Sequence, residues 1–191
     1  MKTKQLDNRS VLFVADTSFW SQKASKLIKK YFPRSVIIFW NHGTLNPPDI
    51  TNWQGDWIIC FKSDYIIPKS ILTKVKFGAI NFHPAPPKYR GIGGYYHALE
   101  NGDKSYAVTC HHMIERVDYG NVITVREFTI LKNESPLSLK DRAGAYCLTL
   151  FYEILSLIIN NKELPVSKIN WDSKLYTYRD LIELKKRNKY Y

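Results

Sequence analysis

The 191-residue sequence is poor in cysteine, with only Cys60, Cys110 and Cys147. Three widely spaced thiols suit neither a disulfide framework nor a zinc site, and each falls in an apolar stretch, as small buried residues do. Nine glycines and nine prolines are too few for a fibrous or low-complexity chain. No apolar run approaches the roughly 20 residues that span a bilayer; the longest, Leu148–Ile159, is broken by Tyr152, Glu153 and Ser156. Met1–Ser10 is polar, with no apolar signal region behind it, so a soluble, cytoplasmic protein with no membrane partner is expected. Acidic residues are scarce too: 17 Asp and Glu face 28 Lys and Arg, a formal net charge of +11. That balance points to a polyanionic partner or substrate, whether nucleic acid, membrane surface or phosphorylated small molecule. The charge forms no arm. Lys23, Lys26, Lys29 and Lys30 share one segment, and Lys185, Lys186, Arg187 and Lys189 close the chain, which reads most simply as solvated faces and a frayed tail.

What is present is ordinary globular usage, 45% hydrophobic and 24% charged residues, in a length that fits one domain. The apolar, β-branched run Val11–Ala15 reads as a buried strand, and Asp16-Thr17-Ser18 as the cap of a helix from Phe19 to Tyr31 ended by Pro33. Val36–Trp40, Trp57–Phe61 and Gly78–Phe82 read as further buried strands; Asn41–Trp53 is a Pro/Gly loop, and Pro68 opens a short helix through Lys74. Continuously apolar strands alternating with helices predict a Rossmann-like α/β fold, its sheet mostly parallel and flanked by helices. The first strand-to-helix turn, Ala15-Asp16-Thr17-Ser18, lacks G-x-G-x-x-G and gives no support for a dinucleotide site. After the His83–Gly94 loop come a helix over Tyr95–Asn101, strands over Tyr106–Met113 and Asn121–Phe128, and a long helix from Ser135-Pro136 to Asn160. The expected division is a catalytic domain over 1–165 and a C-terminal appendage over 166–191, with a short helix near Asp180–Lys185.

The densest polar stretch is Asn81-Phe82-His83-Pro84-Ala85-Pro86-Pro87-Lys88-Tyr89-Arg90-Gly91. Ligands of open α/β sheets bind just beyond the carboxyl ends of strands, and residues two apart on a strand share a face. Asn81 and His83 therefore project together toward that crevice: an amide donor for a developing oxyanion beside an acid/base group. The plainer alternative is that both merely satisfy backbone groups at a strand end. A second strand leads into His111-His112-Met113-Ile114-Glu115-Arg116-Val117-Asp118-Tyr119-Gly120, which adds a carboxylate next to a glycine.

Asn-x-His followed by a Pro loop closing on Tyr89-Arg90-Gly91, then Val108-Thr109-Cys110-His111 and Asp118-Tyr119-Gly120, resembles the signature of formyltransferases that use 10-formyltetrahydrofolate. The ordered match covers Ala79–Phe128. The resemblance implies Asn81, His83 and Asp118 as the catalytic trio. It implies a folate pocket lined by Ser63, Asp64, Tyr65, Ile66 and Ile67 and by Ile114, Glu115 and Val117. His111 is a candidate pocket residue; Lys88, Tyr89 and Arg90 could contact a phosphate, though Arg90 could equally anchor the loop. Gly91 and Gly93 would let backbone approach a ligand closely, the alternative being a plain flexible loop. The Pro-Ala-Pro-Pro wording and the tail Leu175-Tyr176-Thr177-Tyr178-Arg179-Asp180-Leu181 look more like the sugar N-formyltransferases than the glycinamide-ribonucleotide or tRNA enzymes. The implied partners are the folate co-substrate and a dTDP- or GDP-linked amino sugar destined for a surface glycan or lipopolysaccharide, with a homodimer as the assembly to test for. Glycinamide ribonucleotide is the alternative acceptor, and a basic nucleic-acid-binding domain the non-enzymatic alternative, although the aromatics fall mostly within core elements. No metal is expected: His83, His111, His112 and Asp118 do not have the spacing of a usual metal motif.

Overall fold

The computed structural model describes residues 7–44 and 46–188; Lys189 of the closing basic run and the first six residues of the polar N-terminus lie outside them. In chain order the elements are β1 (Val11–Ala15), α1 (Phe19–Tyr31), β2 (Ser35–Phe39), β3 (Gly55–Phe61), α2 (Lys69–Leu72), β4 (Val75–His83), β5 (Arg90–Gly91), α3 (Gly94–Glu100), β6 (Ser105–His112), β7 (Val122–Thr129), α4 (Pro136–Ile159), β8 (Leu175–Tyr176) and α5 (Tyr178–Asn188). Six strands form one sheet in the order β2-β1-β3-β4-β6-β7. The first four run parallel, and β6 and β7 join antiparallel. This is the Rossmann-like architecture the alternating pattern predicts.

Period-two alternation sends β1 into two cores at once. Val11, Phe13 and Ala15 pack with Ala24 and Ile28 of α1 and Leu150, Phe151 and Ile154 of α4. Leu12 and Val14 pack on the other face with Ile50, Ile58, Ile67 and Ile71. All five β1 residues are fully buried, which is why that strand reads as an unbroken apolar run.

The Ser135 hydroxyl accepts the Ser138 N–H at 3.2 Å, and Pro136 occupies the first turn of α4, where its missing donor costs nothing. Among the described residues, α4 is the one helix long and apolar enough, by length and composition, to cross a membrane. Its regular stripe of Leu139, Ala143, Cys147, Leu150, Phe151, Ile154 and Ile158 is buried against the sheet, as in a core helix.

The short helix expected through Lys74 ends at Leu72, the expected strands at Val36–Trp40 and Trp57–Phe61 run over Ser35–Phe39 and Gly55–Phe61, and two further differences bear on the site. The strand expected over Gly78–Phe82 starts at Val75 and runs through His83, and the tail carries the short β8 and an α5 that starts at Tyr178. β8 pairs in parallel with β5, and Leu181 and Leu184 of α5 pack on Tyr96. A two-residue strand has no periodicity of its own; it exists because two distant segments meet.

Candidate active site

The carboxyl end of β4 carries Asn81 and His83 on one side, and antiparallel pairing sets Asn81 opposite His111 of β6. The chain after β6 folds back so that Asp118 joins them. Asp118 adopts a left-handed φ of 43°. Nearby, Gly120 passes so close to β6 that a Cβ there would lie 1.9 Å from the His112 carbonyl oxygen. Only glycine permits that return.

Asp118 is the hub. Its Oδ2 lies 3.3 Å from His83 Nδ1 and accepts the Gly91 N–H at 2.9 Å. Its Oδ1 lies 3.3 Å from His111 Nε2 and 3.3 Å from Asn81 Nδ2. Burial works to raise the Asp118 carboxyl, but the charge of His83, the His111 hydrogen bond and the Gly91 N–H outweigh it, so its pKa sits well below the usual carboxylate range. Asp118 stays ionised at neutral pH.

His83 Nε2 lies 2.8 Å from the Tyr89 carbonyl oxygen. A carbonyl only accepts, so Nε2 bears hydrogen, and Nδ1 faces the carboxylate. His111 Nδ1 likewise donates to the His112 carbonyl at 2.8 Å, leaving Nε2 toward Asn81 Nδ2 at 3.2 Å. The Asn81 nitrogen, His111 Nε2 and Asp118 Oδ1 thus form a triangle with sides of 3.2, 3.3 and 3.3 Å. Seen from the nitrogen its two partners are about 60° apart, whereas the two N–H bonds of an amide diverge by about 120°, so only one N–H points to this side. The second is left over, and Asn81 Oδ1 is buried with no hydrogen-bond partner. The amide offers a free donor and a free acceptor.

These groups form the floor of a cavity of about 550 Å³. Ser63, Asp64, Tyr65, Ile66, Ile67, Ile114, Glu115 and Val117 all line it, as do Gly91, Gly93 and His111. His112, its neighbour on the strand, is not among the lining residues, as strand alternation requires.

Lys88, Tyr89 and Arg90 do not line the cavity, which corrects the expectation that Lys88 and Tyr89 meet a phosphate and leaves Arg90 its alternative role as loop anchor. Lys88 pairs with Asp103 at 2.8 Å, and the fully buried Tyr89 donates to the same carboxylate at 2.6 Å. Arg90 is 3% exposed and donates to the carbonyls of Val117, Asp118, Asp172 and Ser173. It ties the Asp118 loop to the C-terminal segment. The close approach at Gly91 and Gly93 is likewise to the chain itself: a Cβ at Gly91 would lie 2.2 Å from the Tyr176 carbonyl oxygen, and one at Gly93 2.9 Å from Leu181.

Several cavity residues escaped the sequence reading. Asp16 and Lys62 line one part of the wall, while His42, Tyr95, Lys140 and the C-terminal Tyr176, Thr177 and Tyr178 line others. Tyr178 stacks on His42 with ring centroids 4.0 Å apart. Burial and then the charge of Asp64, to which its hydroxyl is hydrogen-bonded, push the Tyr178 phenol up. Trp171 donates to the Gly120 carbonyl at 2.7 Å and sets its ring edge-on against His83 and His111. The Leu175–Leu181 tail wording signalled Tyr176, Thr177 and Tyr178 alone; the others carried no signal.

Residues 46–151 match the family of formyl transferases. This chain belongs to that family. It is 31% identical over 144 residues to the methionyl-tRNA formyltransferase of Orientia tsutsugamushi, covering 67% of this chain and 47% of that protein. It is also 31% identical over 131 residues to the Fusobacterium nucleatum protein of the same name, covering 68% and 41%. The chain therefore spans about half the length of these curated relatives. The fold is shared with the N-formyltransferase of Helicobacter canadensis solved with folinic acid and dTDP-3-aminofucose. That likeness has a TM-score of 0.71 at 20% identity and covers 88% of this chain and 71% of that one. A 4-N formyltransferase from Francisella tularensis gives a TM-score of 0.64 at 21% identity, covering 90% and 77%.

Proposed function

We propose that the chain is an N-formyltransferase that moves the formyl group of 10-formyltetrahydrofolate to the amine of a nucleotide-linked amino sugar. The observation that carries the reading is the Asp118 hub, which gathers Asn81, His83 and His111 at the floor of the 550 Å³ cavity. That volume is in the usual range for small-ligand sites. Ile66, Ile67, Met113 and Ile114 give part of its wall an apolar surface suited to a flat heterocycle. The unpartnered Asn81 oxygen asks for a donor from a ligand.

The amine nitrogen bonds to the formyl carbon, and the carbonyl π pair moves onto oxygen. The free Asn81 N–H donates to that oxygen, while Asn81 Oδ1 accepts from the attacking amine and aims its lone pair. His83, with both ring nitrogens facing oxygen atoms, puts positive charge beside the developing oxyanion when doubly protonated, and Asp118 holds it there. The bond from carbon to the folate nitrogen then breaks, its electrons staying on that nitrogen. One proton leaves the amine and one arrives on the folate nitrogen, so the His83–Asp118 couple ends the cycle as it began. Asn81, His83 and Asp118 are the proposed catalytic residues, and the 63–67 and 114–117 segments the folate-binding ones.

The sugar acceptor is supported by the Pro-Ala-Pro-Pro loop and by the +11 charge, which suits a diphosphate. Formyl transfer from 10-formyltetrahydrofolate is measured against dTDP- and GDP-linked amino sugars, the free amino sugars, glycinamide ribonucleotide and methionyl-tRNA. Turnover of a sugar nucleotide above all others is expected. Preference for glycinamide ribonucleotide or methionyl-tRNA over every sugar nucleotide would overturn the acceptor.

A further inference from the structure

Lys62 follows β3 directly and is not used by the chemistry above. Its side chain is 4% exposed, yet it lines the cavity. Its backbone takes a left-handed φ of 49°, held there by an N–H donated to the Phe82 carbonyl at 3.0 Å. Non-glycine residues persist in that conformation where the surroundings enforce it, and such positions cluster at functional sites. From there the side chain crosses to the end of β1, where Nζ donates to Asp16 Oδ2 and to Ser18 Oγ, each at 3.0 Å. Asp16 Oδ1 is meanwhile filled by the Ser18 N–H and by the hydroxyls of Ser18 and Ser21. Burial raises the Asp16 carboxyl, but Lys62 and these hydroxyls lower it further, so Asp16 is ionised.

A buried ion pair is a poor stabiliser, because desolvation consumes most of the attraction. Its presence at a pocket wall calls for another reason. An ammonium has three N–H bonds, and two partners account for two of them. The third is a donor at a surface almost closed to water. Because Asp16 cancels the ammonium charge locally, that donor suits an uncharged oxygen better than a phosphate. Lys140 is a different case: it lines the cavity on an exposed turn of α4.

We propose that Lys62, held by Asp16, is the residue that positions the acceptor by donating to one of its sugar hydroxyls, so that the amine reaches the formyl carbon in register. This rests on the sugar-acceptor reading. Its consequence is specificity: a hydroxyl-deleted acceptor leaves the Lys62 donor unsatisfied and is rejected.

The test uses the full chain, dTDP-3-aminofucose as acceptor and folinic acid as an unreactive folate probe. Two variants are compared, K62M and the double variant D16N/K62M; the second removes the carboxylate that the first leaves buried without its cation. Thermal melts and folinic acid affinity report folding and the folate site. In the double variant the melt should stay cooperative and the folinic acid affinity within about threefold of wild type. The acceptor KM should rise and kcat fall, with kcat/KM lower by roughly 30-fold or more, the range of one buried hydrogen bond. Acceptors lacking the sugar 2- or 4-hydroxyl supply the decisive comparison. Wild type should discriminate against one of them, and the double variant should not. Unchanged kcat/KM and retained hydroxyl discrimination in a folded, folinic-acid-binding double variant would overturn the role of Lys62 alone. Failure of the wild-type chain to formylate any amino-sugar nucleotide, with folinic acid still bound, would instead overturn the acceptor reading and this assignment with it.

Discussion

Asp118→Asn isolates charge from shape. The volume is kept and the ring of contacts is not. The carboxylate accepts from Gly91 N at 2.9 Å and faces His83 Nδ1, His111 Nε2 and Asn81 Nδ2 at 3.3 Å each. An amide has one acceptor oxygen. If that oxygen keeps the Gly91 and His83 side, its NH₂ meets the Asn81 nitrogen donor to donor; if it is flipped, the NH₂ meets Gly91 N–H instead. Either way at least one contact becomes repulsive, and the charge that holds His83 is gone. Hydrogen bonds to a charged group contribute about 1.5–3 kcal/mol each. Two such losses come to about 3–6 kcal/mol, and if felt in the transition state they lower kcat by about 10²–10⁴.

The same substitution has a signature in stability against pH. The folded carboxyl titrates below its unfolded value. Its contribution is therefore fully present above the ordinary carboxylate pKa of about 4 and is lost as pH falls through the lower folded value. The variant lacks that contribution. The melting-temperature gap between wild type and Asp118→Asn should be widest near neutral pH and narrow below about pH 4. The checks are single-turnover formyl transfer and a pH series of melts. Turnover within fivefold of wild type, or a gap that does not change with pH, would refute the hub.

Arg90→Lys tests the anchor: a lysine cannot span the four carbonyls that the guanidinium fork reaches. The loss should be about 3 kcal/mol, a melting decrease of about 6–12 °C for a chain of this size, with weaker folinic acid binding as the Asp118 loop loosens; an unchanged melt would refute the anchoring role. Gly91→Ala places a methyl against the Tyr176 carbonyl at a φ of 85°, so hydrogen exchange at Ile92, whose N–H donates to that carbonyl, should speed up relative to the β1 core. Equal protection in the two proteins would mean that β5 and β8 accommodate the methyl.

How much of the site was legible depended on its distance along the chain. The shared face of Asn81 and His83 on β4 could be read because period-two geometry is local: the two residues had to share a side. The segments 63–67 and 114–117, proposed to bind folate, followed from a family resemblance, and all eight residues named for that pocket line the cavity. Lys88 and Tyr89 were misjudged, and Arg90 was left undecided between phosphate contact and loop anchor, for a physical reason. A basic and aromatic cluster in a loop looks solvent-facing when its partners are unknown, and Asp103, Asp172 and Ser173 lie 14–83 residues from the side chains they meet.

By itself, then, the sequence determined whatever is set by neighbours a few residues apart. That includes the apolar strands buried on both faces, the Ser135-Pro136 start of α4, and the pairing of Asn81 with His83 on one strand face. Tertiary structure decided what depends on meetings between distant segments. It set the Asp118 hub within reach of both histidines, used Arg90 as a bolt between the Asp118 loop and residues 172–173, and closed the Lys62–Asp16 pair across the ends of β3 and β1. The reason is common to all three. A buried charge is tolerated only where its partners arrive from elsewhere in the fold, and composition and spacing carry no record of that arrival.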